Sequence, residues 1–141
     1  MDPTNPRALR CVVVTPERAV LDEAVDFVAL PMYDGEVGVL PGRAPFIGRL
    51  GYGELRIRRG ADTRRYYVDG GFSQVRANVV TVLTPRAVRA EDIDPAAAAE
   101  ALEAAMAPAA TAEAQAAHLK AQQRARAQLR LARRARGEAP V

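Results

Sequence analysis

The chain has few of the residues that build metal sites, disulfides and aromatic cores. Its 141 residues include one Cys, one His and no Trp, and only 5% are aromatic. The single cysteine, Cys11, excludes an internal disulfide and is typical of a reducing, cytosol-like compartment. One Cys and one His also exclude a standard structural zinc site within one chain.

Long apolar runs are missing as well. No stretch approaches the ~20 apolar residues of a membrane span, which predicts no direct membrane insertion. Residues 1–7 contain no basic stretch leading into an apolar core, so we expect no secretory signal. The length allows one ordinary domain, or a small domain with an appendage.

The composition changes near residue 90. Of the 29 Ala residues, 20 lie after that position, whereas nearly all Gly, Val, Tyr and Phe residues lie before it. All seven basic residues of the second part fall within 120–136. We therefore predict a β domain over residues 1–90 and an Ala-rich helical hairpin over residues 91–141.

The β prediction rests on residues that alternate between apolar and polar and are bounded by turn residues. Residues 54–58 alternate cleanly, a turn follows at 60–62, and residues 63–69 run back. Roughly nine or ten short strands at this spacing predict a sandwich or barrel. The other expected strands are residues 11–15, 18–23, 26–30, 37–40, 46–50, 72–76 and 79–83.

Capping residues predict the two helices. Asp94 can cap a first helix over residues 96–107, and Thr111 can cap a second helix that ends at Arg136, before Gly137. Small residues dominate both helices, so the pair buries little apolar surface and docks weakly. The expected seam consists of Ala98, Ala101 and Ala105 with Ala114, Ala117, Ala121, Ala125, Ala132 and Ala135.

Catalytic motifs are largely missing. The sequence lacks the Gly-rich loop with a following Lys that cradles phosphates, because its only lysine, Lys120, lies in the middle of a predicted helix. We interpret His118 as a solvated helix side chain and Cys11 as a core residue. The basic run near the C-terminus is either a solvated face, a nucleic-acid site or a surface that docks on an acidic protein. Its residues are Arg124, Arg126, Arg130, Arg133 and Arg134, followed by Arg136.

Five strings in succession closely resemble the epsilon subunit of bacterial F-type ATP synthases, whose mitochondrial counterpart is called delta. They are VTPER (14–18), GEVGVLPGRAP (35–45), YVDGGFSQV (67–75), VVTVL (79–83) and AVRAEDID (87–94). The resemblance implies a ten-stranded β-sandwich followed by a helical hairpin. It also implies a noncatalytic central-stalk subunit that binds the gamma subunit and the c-ring and couples ring rotation to the catalytic head.

The resemblance further implies roles for particular residues. Glu36 and Arg43 fall where the family meets gamma or the c-ring. In many members the hairpin extends to the alpha/beta catalytic head and blocks ATP hydrolysis, a role that suits the basic second helix. Ile93 and Asp94 match part of the family's ATP motif, but Ala97 stands where that motif has Arg. We therefore expect no cofactor and no regulatory ATP.

Two functions from different classes follow. The first is a rotor and regulatory subunit on the cytoplasmic face of the bacterial inner membrane, which binds no nucleic acid. The alternative is an independent β-sandwich module whose basic helix binds nucleic acid.

Overall fold

The computed structural model describes residues 8–137. Residues 1–7, which carry the expectation of no secretory signal, lie outside this range, as do residues 138–141. The chain divides into two compact units, the first ending at Ala87 and the second beginning at Val88. Between residues 8 and 137, no helix is both long and apolar enough to cross a membrane.

In the part of the chain that the structure describes, eight strands form one sheet. Their order is β2-β1-β7-β6-β5-β3-β4, and β8 also pairs with β6. Strands β1 and β7 run parallel, whereas the other pairs along that path are antiparallel. The strands are β1 (Leu9–Val14), β2 (Ala19–Val25), β3 (Phe27–Met32), β4 (Gly35–Val39), β5 (Phe46–Arg59), β6 (Asp62–Arg76), β7 (Val79–Leu83) and β8 (Ala87–Arg89).

The predicted class, a β domain followed by two helices, is confirmed, but residues 8–137 form eight strands rather than ten. Residues 46–50 and 54–58, expected as separate strands, belong to the single strand β5. Residues 63–69 and 72–76 likewise belong to β6. Glycines within both strands signalled turns in the sequence, but the structure uses them to bend continuous strands.

Strand β6 changes the face that it buries halfway along its length. Tyr66 and Val68 belong to the hydrophobic core from the first half, and Val75 belongs to it from the second, so the core-facing positions change from even to odd. Tyr67 is also buried but does not belong to that core. The change occurs at residues 70–71, two glycines with φ of +77° and +102°. Side chains other than Gly rarely adopt such angles, so this pair allows the strand to turn over.

Strand β5 makes the same change beside it. Leu50 and Leu55 are both buried although five positions separate them. The pairing continues across the change, with Leu50 opposite Gly71 and Leu55 opposite Tyr66. The two strands therefore turn over together, and both halves of the ribbon bury one face in the same Val-rich core.

The C-terminal unit consists of a short 3-10 helix, Ala90–Asp92, followed by α1 (Pro95–Ala105) and α2 (Ala112–Ala135). The side chain of Thr111 accepts a hydrogen bond of 3.0 Å from the backbone N of Ala114, as its predicted capping role requires. Gly137, with φ of +74°, follows the end of α2. Helix α1 ends at Ala105 rather than at residue 107, because Pro108 disfavours helical geometry in the residue before it.

Small side chains line the seam between α1 and α2. Ala98, Ala105, Ala125 and Ala132 are buried, as the sequence predicts. Their burial lets the two helix backbones approach closely but removes little apolar area from water. Three other expected members of the seam are exposed: Ala101, Ala117 and Ala135.

Candidate functional site

The N-terminal unit carries an open cleft of about 400 Å³. The turn between β3 and β4, the loop after β4 and the start of β5 form its walls. The cleft combines apolar side chains with two arginines and one acid, a mixture that suits recognition of another protein. The lining residues are Met32, Tyr33, Asp34, Val37, Arg43, Phe46, Ile47, Gly48 and Arg49.

Both arginines of the cleft stack on aromatic rings. The Cζ atom of Arg49 lies 4.3 Å from the ring centroid of Tyr33, and that of Arg43 lies 5.5 Å from the centroid of Phe46. The backbone N of Tyr33 also donates a 2.8 Å hydrogen bond to the carbonyl O of Arg49. Stacking on a ring face orients a guanidinium, while its N–H groups, which lie in the guanidinium plane, stay available to other acceptors.

An exposed row of side chains continues from the cleft across the sheet. Arg49 pairs with Phe72 across β5 and β6, and Phe72 pairs with Leu83 across β6 and β7. Tyr33 is 67% exposed, Phe72 56% and Leu83 52%, while Ile47, two positions from Arg49, is 72% exposed. We call this set the apolar row. It consists of Tyr33, Ile47, Phe72 and Leu83, together with Arg49, which stacks on Tyr33. Contiguous exposed apolar side chains of this kind mark interaction surfaces.

Arg43 lies on the loop between β4 and β5. Its backbone N donates a 3.2 Å hydrogen bond to the carbonyl O of Leu40, which closes a tight turn. Gly42, within that turn, has φ of +87°. The structure therefore presents Arg43 at the cleft from a defined turn.

Glu36 occupies a different position from Arg43. It lies on β4, and its Oε1 accepts a 3.1 Å hydrogen bond from Nη2 of Arg56. Arg56 in turn lies 6.0 Å from the ring centroid of Phe27. Glu36 is half exposed and is not among the residues that line the cleft, so the two predicted rotor-contact residues belong to separate clusters.

Ile93 and Asp94 both contribute to holding α1 in place. The Oδ1 atom of Asp94 accepts a 3.0 Å hydrogen bond from the backbone N of Ala96, which caps the helix. Ile93 is buried, and its carbonyl O accepts a 3.3 Å hydrogen bond from Nη2 of Arg136. The structure therefore gives the residues of the vestigial ATP motif a structural role.

Helix α2 places three of its five predicted basic residues around one groove. Arg126, Arg130 and Arg133 line a space of about 260 Å³ together with Leu102 of α1 and Leu129 of α2. Their spacing of four and then three residues puts them on one helix face. The other two members of the predicted basic face, Arg124 and Arg134, do not line this groove. These two arginines and Arg133 of the groove each have a partner within the protein.

Side chains of α2 also bind carbonyl groups at both ends of α1. Nδ1 of His118 donates to the carbonyl O of Ala107 at 2.9 Å, and Nε2 of Gln122 donates to that of Ala105 at 3.0 Å. The bond from Arg136 to Ile93 holds the other end. We call His118, Gln122 and Arg136 the carbonyl clasp. His118, interpreted as a solvated helix side chain rather than a base or ligand, is partly exposed and also gains a partner among the carbonyls left unpaired at the end of α1.

The single cysteine lies in the core rather than at the surface. Cys11 is buried, as predicted, and burial raises the pKa of its thiol to about 12, which keeps it protonated. Within residues 8–137, no group of three or more His, Cys, Asp or Glu side chains could hold a metal ion.

Sequence reasoning missed the apolar row and the carbonyl clasp. The signal for the row is present: Ile47 and Phe72 stand at outward positions of β strands, where polar residues are usual. The carbonyl clasp has no comparable signal in the sequence, because its polar side chains resemble ordinary solvated helix residues.

Known proteins resemble this chain in sequence and in fold. The sequence model of the family described as "ATP synthase, Delta/Epsilon chain, beta-sandwich domain" matches residues 8–90. An ATP synthase epsilon chain from Rhodopirellula baltica is 61% identical over 87 residues, which cover 62% of this chain and 68% of that relative. An epsilon chain from Nitratidesulfovibrio vulgaris is 48% identical over 88 residues, covering 62% and 66%.

Solved structures extend the similarity over more of the chain. A chain in the cryo-EM structure of the Euglena gracilis mitochondrial ATP synthase, comprising OSCP, F1 and the c-ring, matches with a TM-score of 0.78 and 27% identity. The match covers 87% of this chain and 80% of that one. A chain in the central stalk and c-ring of the Tetrahymena thermophila enzyme shares the fold, with a TM-score of 0.71 at 13% identity and coverage of 88% and 96%.

The family match and the curated relatives confirm the resemblance seen in the sequence strings, and with it the expectation of a noncatalytic chain of ATP synthase. This chain belongs to the ATP synthase delta/epsilon chain family.

Proposed function

We propose that this chain is a central-stalk subunit whose N-terminal unit binds the gamma subunit and the c-ring, and so couples ring rotation to the catalytic head. Its C-terminal helices would act as an arm that inhibits ATP hydrolysis. The observation that carries the rotor role is the apolar row beside the cleft. In the assembled enzyme the chain would be a peripheral subunit on the cytoplasmic face of the bacterial inner membrane.

The apolar row suits a stable protein partner. Aromatic residues and arginines provide much of the binding energy of protein interfaces, and Tyr33 with Arg49 combines both in one stack. Arg43 adds a guanidinium already oriented by Phe46. We assign this surface to the gamma subunit.

Glu36 provides a separate contact for the c-ring. Its carboxylate is held by Arg56 but remains half exposed, so it can accept further hydrogen bonds from polar loops. Such exposed charges fix orientation and association rate more than affinity.

Weak packing and basic charge support the role of the arm. The buried seam of α1 and α2 is built mostly from Ala, and each hydrogen bond of the carbonyl clasp contributes only ~0.5–1.5 kcal/mol net. Contacts worth a few kcal/mol to an acidic surface of the catalytic head could therefore shift the helices to another state. Arg126, Arg130 and Arg133 would make those contacts.

Regulatory nucleotide is not part of this proposal. Ala97 stands where the family's ATP motif has Arg, and Asp94 is engaged in capping α1. We expect isothermal titration of the full chain with ATP to give no heat of binding, and micromolar affinity would contradict this.

The rotor role is tested by affinity for the purified cognate gamma subunit. Replacing Phe72 with Asp should weaken binding at least about tenfold, because a central aromatic contact is lost and a charge is buried. Leu119→Asp is the matched control, since Leu119 is also half exposed but lies on α2. Equal effects of the two variants would argue against the apolar row as the contact surface.

The inhibitory role is tested in the assembled enzyme by deleting the residues after 90. We expect higher ATP hydrolysis with proton coupling intact, and unchanged hydrolysis would show that the helices are not an inhibitory arm here. A milder variant, Arg126→Glu with Arg130→Glu, should raise hydrolysis in the same direction. Arg58→Glu with Arg76→Glu, on the exposed surfaces of β5 and β6, is its charge-matched control.

A pull-down from membrane extracts separates this function from the nucleic-acid alternative. Recovery of gamma and c subunits supports the stalk role. Recovery of salt-sensitive nucleic acid without synthase subunits would support the alternative.

A further inference from the structure

The turn between β6 and β7 has a feature that its own geometry does not require. Arg76 and Val79 pair directly, so Ala77 and Asn78 form a two-residue hairpin turn. Both have positive φ, 50° and 63°. Asn and Gly are the residues that tolerate this conformation best. Gly would fit the turn equally well, so the turn alone does not require the side chain of Asn78.

That side chain reaches a loop 36 residues away in the chain. Oδ1 of Asn78 accepts a 2.7 Å hydrogen bond from the backbone N of Gly42. The carbonyl O of Asn78 accepts a second bond of 2.8 Å, from the backbone N of Arg10 on β1. Asn78 is therefore anchored to the sheet by its backbone and to the loop by its side chain.

The loop is exposed along residues 40–45. It connects the end of β4 at Val39 to the start of β5 at Phe46 and includes the tight turn that Arg43 closes with Leu40. A Cβ built on Gly42 meets no atom within 4 Å, so the surroundings leave open space at this point. The hydrogen bond from Gly42 to Asn78 therefore links the β4–β5 loop to the sheet. The linked position is next to Arg43, whose guanidinium stacks on Phe46.

We propose that Asn78 is a positioning residue for the rotor contact: it fixes the turn at Gly42 so that Arg43 is held at the cleft before the partner arrives. The inference rests on the proposed function, in which Arg43 contacts the gamma subunit. Ordering a loop in advance removes an entropic cost from binding, so Asn78 raises affinity without touching the partner.

The test replaces Asn78 with Gly, which keeps the positive φ but removes the acceptor. Asn78→Asp is the matched control, because a carboxylate oxygen can still accept from Gly42. Two quantities are measured on the full chain: hydrogen exchange of the Gly42 amide by NMR, and affinity for the purified gamma subunit. We expect Asn78→Gly to speed exchange about fivefold and to weaken binding by a similar factor, as loss of one net hydrogen bond implies. Asn78→Asp should leave both near the wild-type values.

A double-mutant cycle with Arg43→Ala shows whether Asn78 acts through Arg43. If it does, Asn78→Gly weakens binding in the wild-type background but has little further effect once Arg43 is replaced. Additive losses would overturn the proposal, as would unchanged exchange at Gly42. If Arg43→Ala leaves affinity unaltered, the assignment of Arg43 in the proposed function fails. Faster exchange at Gly42 in Asn78→Gly would still show that Asn78 holds the β4–β5 loop.

Discussion

Gly71 lies where β6 turns over, and replacing it with Ala should destabilise the N-terminal unit strongly. Its φ of +102° alone costs an L-residue ~1–2 kcal/mol. A Cβ at this position would overlap the backbone O of Leu83 and lie 3.0 Å from the Cα of Thr84. Backbone atoms in a paired strand cannot move aside as a flexible side chain can, and forced overpacking costs a further ~1–3 kcal/mol. We expect a total loss of about 2–5 kcal/mol.

Urea unfolding followed by the near-UV signal of tyrosine measures this loss selectively. All four Tyr residues lie before residue 88, so the signal reports the N-terminal unit and not the helices. Gly60→Ala is the control, because Gly60 also has positive φ, +59°, but a Cβ there meets nothing within 4 Å. The control should lose only about 1 kcal/mol. If the two variants unfold at the same urea concentration, the overlap with Leu83 does not limit the fold and the reasoning is refuted.

Three further predictions concern Cys11, Asp94 and the pair of His118 and Gln122. Cys11, with its raised pKa, should not react with a thiol reagent at neutral pH until the protein is denatured, and rapid labelling of the native protein would contradict its burial. Asp94→Ala should lower the stability of the C-terminal unit by ~1 kcal/mol in thermal unfolding followed at 222 nm, whereas Asp94→Asn, which keeps a capping oxygen, should not. Replacing His118 and Gln122 together with Ala should speed amide exchange in α1 at least about tenfold, since two hydrogen bonds are lost. Lys120→Ala is the control for that pair, and equal exchange in both proteins would show that the clasp does not hold α1.

Local signals in the sequence predicted the helices well and the strands less well. Asp94 and Thr111 each accept a hydrogen bond from a backbone N two or three residues later, so their capping roles can be inferred without knowing the rest of the fold. The merging of expected strands into β5 and β6 could not be inferred in this way. A Gly-Gly pair signals a turn from sequence alone, and only the core on both sides of it shows that Gly70 and Gly71 turn one strand over.

The candidate site was likewise predicted only in part from the sequence. The family strings identified Glu36 and Arg43, but their neighbours depend on tertiary pairing. The stack of Arg49 on Tyr33 requires the turn after β3 to lie beside β5, and sequence spacing does not encode that approach. Likewise, His118 gains its partner only because α2 runs past the end of α1.

The unequal lengths of the two helices would give the proposed arm an asymmetric response. Helix α1 has 11 residues and α2 has 24. Isolated helices shorter than ~12–15 residues are marginal in water, because each must form a costly nucleus before further turns become favourable. Separating the pair would therefore return α1 toward coil while α2 could persist as a rod. If the helices act as the proposed arm, its opening would include a helix–coil transition confined to α1, and the conformational entropy released there would favour the extended state.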